Sequence, residues 1–157
     1  MTDPSERVAP TPSDVEANAA LVRETVSLTL ALGDRLRQRY ATIAAEYGLS
    51  AIQAKVLSRL SADKPRSMRA IAVHLHVDPA NLTAIVDKLE GRGLIERRES
   101  VGDRRAKVLV ITAAGVTTCS AFHAALASAP GPLAGLPADR ARLLRDVLRE
   151  IVGDDPA

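Results

Sequence analysis

Five small or polar side chains share one side of a helix predicted to begin at Pro79. They are Ala80, Asn81, Thr83, Ala84 and Lys88. The other side carries an apolar stripe with i, i+3, i+4, i+7 spacing, formed by Leu82, Ile85, Val86 and Leu89. Small side chains let a helix approach the floor of a DNA groove, where Asn can pair with adenine and a methyl group can meet thymine. The pattern predicts the reading helix of a helix-turn-helix. Asn81 has an alternative, which is to bond back to the helix cap.

A second group of basic side chains follows this helix. Residues 92–107 contain six basic and three acidic residues, a positive excess that suits contact with phosphates. Arg104 and Arg105 stand beside Asp103 at the expected tip of a hairpin. The carboxylate could orient one arginine by an ion pair while the other enters a minor groove.

Three other arginines and one lysine have simpler expected roles. Lys88 and Arg92 are expected to touch phosphates, which positions a protein on DNA without reading its sequence. Arg97 and Arg98 fit either DNA contact or a solvated strand edge that resists pairing. For Arg98 the two interpretations stay open.

Two short helices and a hairpin position these side chains. Ser67 can cap a helix that runs through Leu75, and residues 76–78 form the turn to the reading helix. Asp78 is its predicted N-cap, and Pro79 suits the first helical position because it has no N–H to satisfy. The glycines of residues 91–93 end the helix. Residues 94–99 and 106–111 then form a two-stranded wing, with residues 100–104 as the turn.

Longer helices flank this core. Residues 1–14 have no apolar period and are predicted to be a mobile arm, followed by one long amphipathic helix over 15–47 that Gly48 ends. Ser50 and Gln53 form a capping box, so that a second helix starts at Ala51 and is ended by residues 63–65. Residues 50–112 would make the winged-helix core of a single domain over 15–157.

Two more helices are expected after the wing. Thr112 can cap a helix to about Ser128, and a last helix begins near Pro137. The last helix is predicted to bury Leu144, Val147, Leu148 and Ile151. We interpret residues 15–47 and 113–152 as dimerisation helices. A two-fold dimer would present two reading helices about 34 Å apart and would require a pseudo-palindromic operator.

The wing region carries a family resemblance. The run from Leu89 to Arg97 (LEGRGLIER), then residues 103–107 (DRRAK) and 111–115 (ITAAG), resembles the winged-helix core of the MarR family of bacterial transcriptional regulators. The likeness extends more loosely from about Val15 to Val152. It implies a mostly helical, dimeric DNA-binding repressor or activator that is often relieved by a small phenolic or lipophilic ligand or by thiol oxidation.

On this basis we predict a ligand-responsive repressor that binds DNA as a homodimer. The DNA contacts are assigned to Ser67, Pro79, Ala80, Asn81, Thr83, Ala84, Lys88, Arg92, Arg97, Asp103, Arg104 and Arg105. An effector pocket is expected near Tyr40, Tyr47 and the second helix, and the scarcity of aromatic residues favours an aliphatic or carboxylate ligand. The alternative function is a winged-helix protein interaction module without operator binding.

Other classes of function have little support in the sequence. No nucleophile, carboxylate pair or phosphate loop stands out, so that no enzyme and no cofactor are predicted. Peroxide-sensing relatives carry a cysteine near the start of the first helix, but Cys119 is the one cysteine here and is expected to be buried and inert. His74, His76 and His123 lack metal-ligand spacing. No membrane span or signal peptide is recognised, so that a soluble cytoplasmic protein is expected.

Overall fold

A computed structural model gives the conformation of most of the chain. It describes residues 12–61, 65–100, 103–128 and 131–153, with the backbone alone for 12–14 and 103–106. The first eleven residues of the predicted arm lie outside this description. Of the described residues, those up to Arg37 form one compact unit and those from Gln38 onward form a second.

The first helix, α1 (Pro12–Glu46), starts three residues before the predicted Val15. Proline is favourable in the first turn of a helix, where its missing N–H is not needed. Gly48, with a φ of +65°, follows the helix as predicted. No helix within the described residues is long and apolar enough to span a bilayer.

Helix α2 (Ala51–Ser58) begins with the predicted capping box. Ser50 Oγ accepts the Gln53 N–H, and Gln53 Oε1 accepts the Ser50 N–H at 2.8 Å. The prediction that α2 extends to residues 63–65 is wrong. The N–H groups of Arg59 and Leu60 bond to carbonyls three residues earlier, at 3.1 and 3.2 Å, which tightens the last turn and ends the helix.

The helix-turn-helix has the predicted boundaries. Helix α3 (Met68–Leu75) is capped by Ser67, whose hydroxyl accepts an N–H in the first turn at 3.1 Å. His76, at a φ of +52°, turns the chain, and α4 (Pro79–Gly91) begins with Asp78 as its N-cap. These caps confirm that α3 and α4 are set by local sequence.

The wing is a three-stranded antiparallel sheet rather than a simple hairpin. Its strands are β1 (Arg66–Ser67), β2 (Ile95–Ser100) and β3 (Asp103–Ile111), in the order β1-β3-β2. Strand β1 was not predicted, because two residues are too few to show an alternating pattern. Pairing with β1 makes β3 the central strand and leaves β2 at an edge.

The predicted turn over residues 100–104 is also wrong in its bounds. Glu99 pairs with Lys107, but Ser100 pairs with Asp103, so that residues 104–106 lie between two successive pairs. This is a bulge in β3, beyond which antiparallel pairing resumes. The strands therefore include three of the five residues expected in the turn.

Helix α5 (Ala113–Ser128) starts against the base of the wing. Thr112 Oγ1 accepts the Gly115 N–H at 3.0 Å, which confirms the predicted cap, and donates to the Gly93 carbonyl at 2.7 Å. A side chain at Gly115 would lie 2.0 Å from the carbonyl oxygen of Leu94. Glycine is therefore needed here for close approach of the helix to the strand.

Helix α6 (Ala138–Val152) begins where predicted, but its apolar face is not buried in the single chain. Leu144 is half-buried, whereas Val147, Leu148 and Ile151 are exposed, and Ile151 retains 75% of its accessible surface. The prediction of burial is therefore wrong for one chain by itself, because the described residues cover this face only in part.

The hydrophobic core lies in the second unit and joins α2, α3, α4, the wing and α5. Phe122 of α5 is fully buried, with the ring of Tyr40 edge-on at a centroid distance of 5.0 Å. Ile71 and Ala72 of α3 are buried in this core, and Met68 packs against it. The side chains in this core that are less than 2% exposed include Leu57, Ile71, Leu82, Leu89, Ile95, Leu109, Val56 and Val86.

Candidate nucleic-acid interface

The exposed face of α4 carries the predicted group of small and polar side chains. Ala80, Asn81, Thr83, Ala84 and Lys88 are all exposed. Of the opposite stripe, Leu82, Val86 and Leu89 are fully buried and Ile85 is half-buried. The predicted orientation of the helix is confirmed. Contact of these side chains with DNA stays a prediction.

The start of α4 is fixed by its cap. One Asp78 carboxylate oxygen accepts the N–H groups of Ala80 at 2.8 Å and Asn81 at 3.4 Å. The Asn81 side-chain amide has no hydrogen-bond partner among the described residues, so that its alternative bond to the cap is absent. Thr83 Oγ1 donates to the Pro79 carbonyl at 3.0 Å, which leaves its methyl group for contact with a base. This face thus presents a free amide and apolar methyl groups.

Arg97 joins the wing to the reading helix. Its guanidinium forms ion pairs with Asp87, at 2.5 Å, and with Glu90, and its backbone N–H donates to Glu90 at 3.1 Å. Burial by itself lowers the pKa of Arg97, but hydrogen bonds and ion pairs with these two carboxylates outweigh burial and raise it. Arg97 therefore has an internal role, and the DNA contact assigned to it stays a prediction.

Arg92 also makes internal contacts. Its guanidinium donates to the carbonyls of Gly48 at 2.6 Å and Tyr47 at 3.0 Å, just beyond the end of α1. The predicted phosphate contact would have to coexist with these two bonds. The sequence did not predict these two hydrogen bonds, because Gly48 and Tyr47 lie 44 and 45 residues before Arg92 in the chain.

The wing strands place the remaining arginines. The guanidinium of Arg98 forms an ion pair with the carboxylate of Glu96, two residues earlier on edge strand β2. The Arg98 side chain is mostly exposed, which agrees with the interpretation of a solvated strand edge. Arg104 and Arg105 lie in the bulge of β3 described above rather than in the turn itself, next to Asp103. The minor-groove contact predicted for them stays a prediction.

The N-terminal turn of α3 adds basic residues that the sequence analysis did not single out. Arg69, which lies two residues after the cap Ser67, is exposed, and Arg66 immediately precedes Ser67 in β1. Together with Ala70, Val73 and His74 they line a shallow depression of about 500 Å³. A basic residue in the first turn of a capped helix is the signal that could have identified Arg69.

A cavity of about 880 Å³ lies at Tyr40, beside α2, the end of α3 and α5. Its lining includes Lys55, Arg59 and all three histidines of the chain, and none of the described residues that line it is acidic. Burial raises the pKa of Tyr40, although a hydrogen bond with Ser58 opposes this, so that the phenol stays protonated near neutral pH and can donate. Such a lining suits an anion.

Cys119 lies near this cavity and is half-buried rather than fully buried as predicted. Its Sγ is 3.8 Å from Ser58 Oγ and 4.0 Å from His123 Nδ1, and the Ser58 hydroxyl is 2.9 Å from His123 Nε2. The thiol therefore packs in a polar group of side chains on the inner side of α5. Tyr47, also expected near the pocket, instead donates its hydroxyl to the Ala121 carbonyl at 3.0 Å.

A capped helix-turn-helix followed by a three-stranded wing and flanked by long helices defines a winged helix-turn-helix protein. Residues 49–107 match the model of the MarR family. This match confirms the resemblance to that family noted in the sequence. No curated protein sequence matches the chain.

Solved structures with the MarR fold cover most of the chain. A MarR family transcriptional regulator from Rhodococcus sp. RHA1 is 24% identical, with a TM-score of 0.70 over 86% of this chain and 98% of that chain. CouR bound to a 23-mer DNA duplex is 29% identical, with a TM-score of 0.66 over 80% of this chain and 89% of that chain. CouR from Rhodococcus jostii RHA1 bound to p-coumaroyl-CoA is 24% identical, with a TM-score of 0.64 over 83% and 92%. The fold from α1 to α6 is therefore that of MarR family regulators.

Proposed function

We propose that this chain is a sequence-specific DNA-binding transcriptional regulator, acting in the cytoplasm as a ligand-responsive repressor. The observation that carries the proposal is the exposed face of α4, where small side chains and a free Asn81 amide surround a capped helix beside a wing. CouR, which has the same fold, is a transcriptional repressor and has been solved on a DNA duplex. A binding role also suits the MarR fold better than an enzymatic one.

The proposed contacts divide into three kinds. Asn81, with the methyl groups of Ala80, Thr83 and Ala84, reads bases in the major groove. Lys88, Ser67 and Pro79 lie where the DNA backbone would pass, and Lys88 supplies the charge. Arg104 and Arg105, with Asp103 beside them, enter the minor groove at the wing.

A homodimer is part of the proposal. Apolar side chains on α6, such as Leu143 and Val152, are 66% and 71% exposed, and within the first unit α1 exposes Leu21, Leu28 and Leu30 to a similar degree. Many large apolar side chains exposed on two helices are unfavourable in water and mark a surface for association. A second copy that covers them would give the two reading helices needed for a pseudo-palindromic operator.

The cavity at Tyr40 is the proposed effector site. Its basic lining favours an organic anion such as a carboxylate, in agreement with the ligand class expected from the sequence. CouR, solved with p-coumaroyl-CoA, provides a precedent for an anionic ligand on this fold. Release of DNA by a hundredfold requires the ligand to favour the non-binding conformation by about 2.7 kcal/mol. One charge-assisted hydrogen bond with some apolar burial can supply that energy.

The test is binding of the purified protein to its own upstream DNA and to a scrambled duplex across a range of salt concentrations. We expect selective binding, two protomers per site, and a steep fall in affinity with salt, because phosphate contacts release counterions. An equal affinity for both duplexes would contradict the proposed function. An affinity for a protein partner that is nearly independent of salt would instead support the alternative of an interaction module.

A further inference from the structure

Arg92 links the reading helix to the end of the long first helix. Arg92 is the C-cap residue of α4, so that its backbone is fixed to the reading helix. Its guanidinium reaches across to the carbonyls of Tyr47 and Gly48, with Nη2 and Nη1 at 3.0 and 2.6 Å respectively. The planar fork of an arginine can hold two carbonyls at once, which fixes both distance and direction.

The end of α1 provides a reason for this contact. The C-terminus of a helix carries partial negative charge, and a cation there is stabilising. The last turn of α1 contains no basic residue and ends at Glu46, an acid. Arg92 supplies from α4 the positive charge that α1 does not provide itself.

Gly48 is shaped for the same contact. Its φ of +65° is unfavourable for residues with a side chain, and a Cβ there would lie 3.3 Å from Arg92 Nη2. The guanidinium therefore packs closely on this glycine as well as bonding to its carbonyl.

The link continues from the end of α1 to α5. The Tyr47 hydroxyl donates to the Ala121 carbonyl at 3.0 Å, and the Tyr47 ring packs edge-on against Phe122 at a centroid distance of 6.2 Å. Arg92 thus connects the reading helix with two helices that the sequence analysis assigned to dimerisation. A side chain in this position restricts how far the reading helix can turn relative to the end of α1.

We propose that Arg92 is a positioning residue that sets which spacing between operator half-sites the dimer accepts. The inference rests on the proposed function and replaces the phosphate contact predicted for Arg92. Its physical basis is that a dimer matches two half-sites only if both reading helices are held at fixed angles. Loss of the link lets each reading helix reorient, so that incorrect spacings become tolerated.

The experiment uses the full-length protein and a duplex enriched from a random library by the wild-type protein. Matched duplexes have one base pair added or removed between the half-sites, which rotates one half-site by about 34° relative to the other. Binding of the wild type, Arg92→Ala, Arg92→Lys and Lys88→Ala is measured by fluorescence anisotropy at several salt concentrations. Thermal unfolding identifies the Arg92 variants that are folded.

We expect the wild type to prefer its selected spacing by at least about tenfold, and Arg92→Ala to prefer it by less than about threefold. Arg92→Lys should lose most of the preference too, because one ammonium cannot hold two carbonyls in a fixed fork. The salt dependence of both Arg92 variants should match that of the wild type. Lys88→Ala is the matched control for a phosphate contact, and its salt slope should fall by about one while its spacing preference is retained.

Two results would overturn the inference. The first is a spacing preference in folded Arg92→Lys that equals the wild-type preference. The second is a reduced salt slope in the Arg92 variants with unchanged spacing preference, which would restore the phosphate contact. Failure of the proposed function is a separate result, since the wild-type protein would then enrich no duplex from the library.

Discussion

Replacement of Gly115 by alanine should destabilise the protein, although alanine is the better helix former. A Cβ at Gly115 would lie 2.0 Å from the carbonyl oxygen of Leu94 and 2.7 Å from Ile111 Cγ1. Ordinary contacts of this kind are 3.4–4 Å long. Because the nearest atom belongs to the backbone, α5 must move away from Leu94, the residue that precedes β2, by more than an ångström.

The expected magnitude follows from opposing effects. Alanine gains about 1 kcal/mol over glycine in helix propensity. Overpacking costs about 1–3 kcal/mol, occasionally more. The same displacement strains the 3.1 Å hydrogen bond from the Thr112 N–H to the Leu94 carbonyl, a loss of about 1 kcal/mol. The net loss in the free energy of unfolding is about 1–3 kcal/mol, equivalent to a fall in Tm of roughly 2–12 °C.

The assay is thermal and urea unfolding followed by circular dichroism. All proteins are compared at one protomer concentration, because the proposed dimerisation would make Tm depend on concentration. Gly91→Ala is the matched control, since Gly91 is also helical but a Cβ there would meet nothing within 4 Å. The control should be neutral or more stable by up to about 1 kcal/mol. If Gly115→Ala is as stable as this control, the argument from close approach is refuted.

Three other outcomes are expected. Arg104→Ala and Arg105→Ala should each weaken operator binding by about 1–3 kcal/mol without changing Tm, as measured by fluorescence anisotropy; unchanged affinity in both variants would contradict the wing contact. Ile151→Glu should raise the dimer dissociation constant at least about tenfold in analytical ultracentrifugation, because an apolar contact is replaced by a desolvated charge in both protomers. Arg142→Glu, on the charged face of α6, is the control. An Ile151→Glu protein that remains fully dimeric would exclude this face from the interface. Ser67→Ala should cost about 1 kcal/mol in urea unfolding through loss of the α3 cap, and a variant as stable as the wild type would show that the cap adds nothing.

Much of the local structure was predictable because its causes lie within a few residues. The capping box of α2 joins residues three apart, and the same is true of the cap of α3. Asp78 caps α4 through the N–H groups two and three residues on, and Thr112 caps α5 through the N–H three residues on. The spacing of apolar residues then fixed which side of α4 is buried and which is exposed.

Three of the failed predictions share a different cause. Strand β1 exists only because it pairs with β3, and the wing turn is shorter than predicted because pairing resumes beyond a bulge. The apolar face of α6 was predicted to be buried from its periodicity, but periodicity indicates that a face is apolar and not what covers it. These features depend on partners that are distant in the chain or absent from it.

The sequence by itself therefore determined the helix caps, the exposed face of α4 and the family of the winged core. Only the tertiary structure decided what the arginines around that face contact. Arg97 bonds to carboxylates seven and ten residues away, and Arg92 to carbonyls more than forty residues away. Local hydrogen bonds and periodicity can be recognised within one or two helical turns, whereas the partner of a long flexible cation is chosen by how separate elements pack. The same basic residues that suit phosphates in the sequence can thus act inside the folded protein as links between its elements.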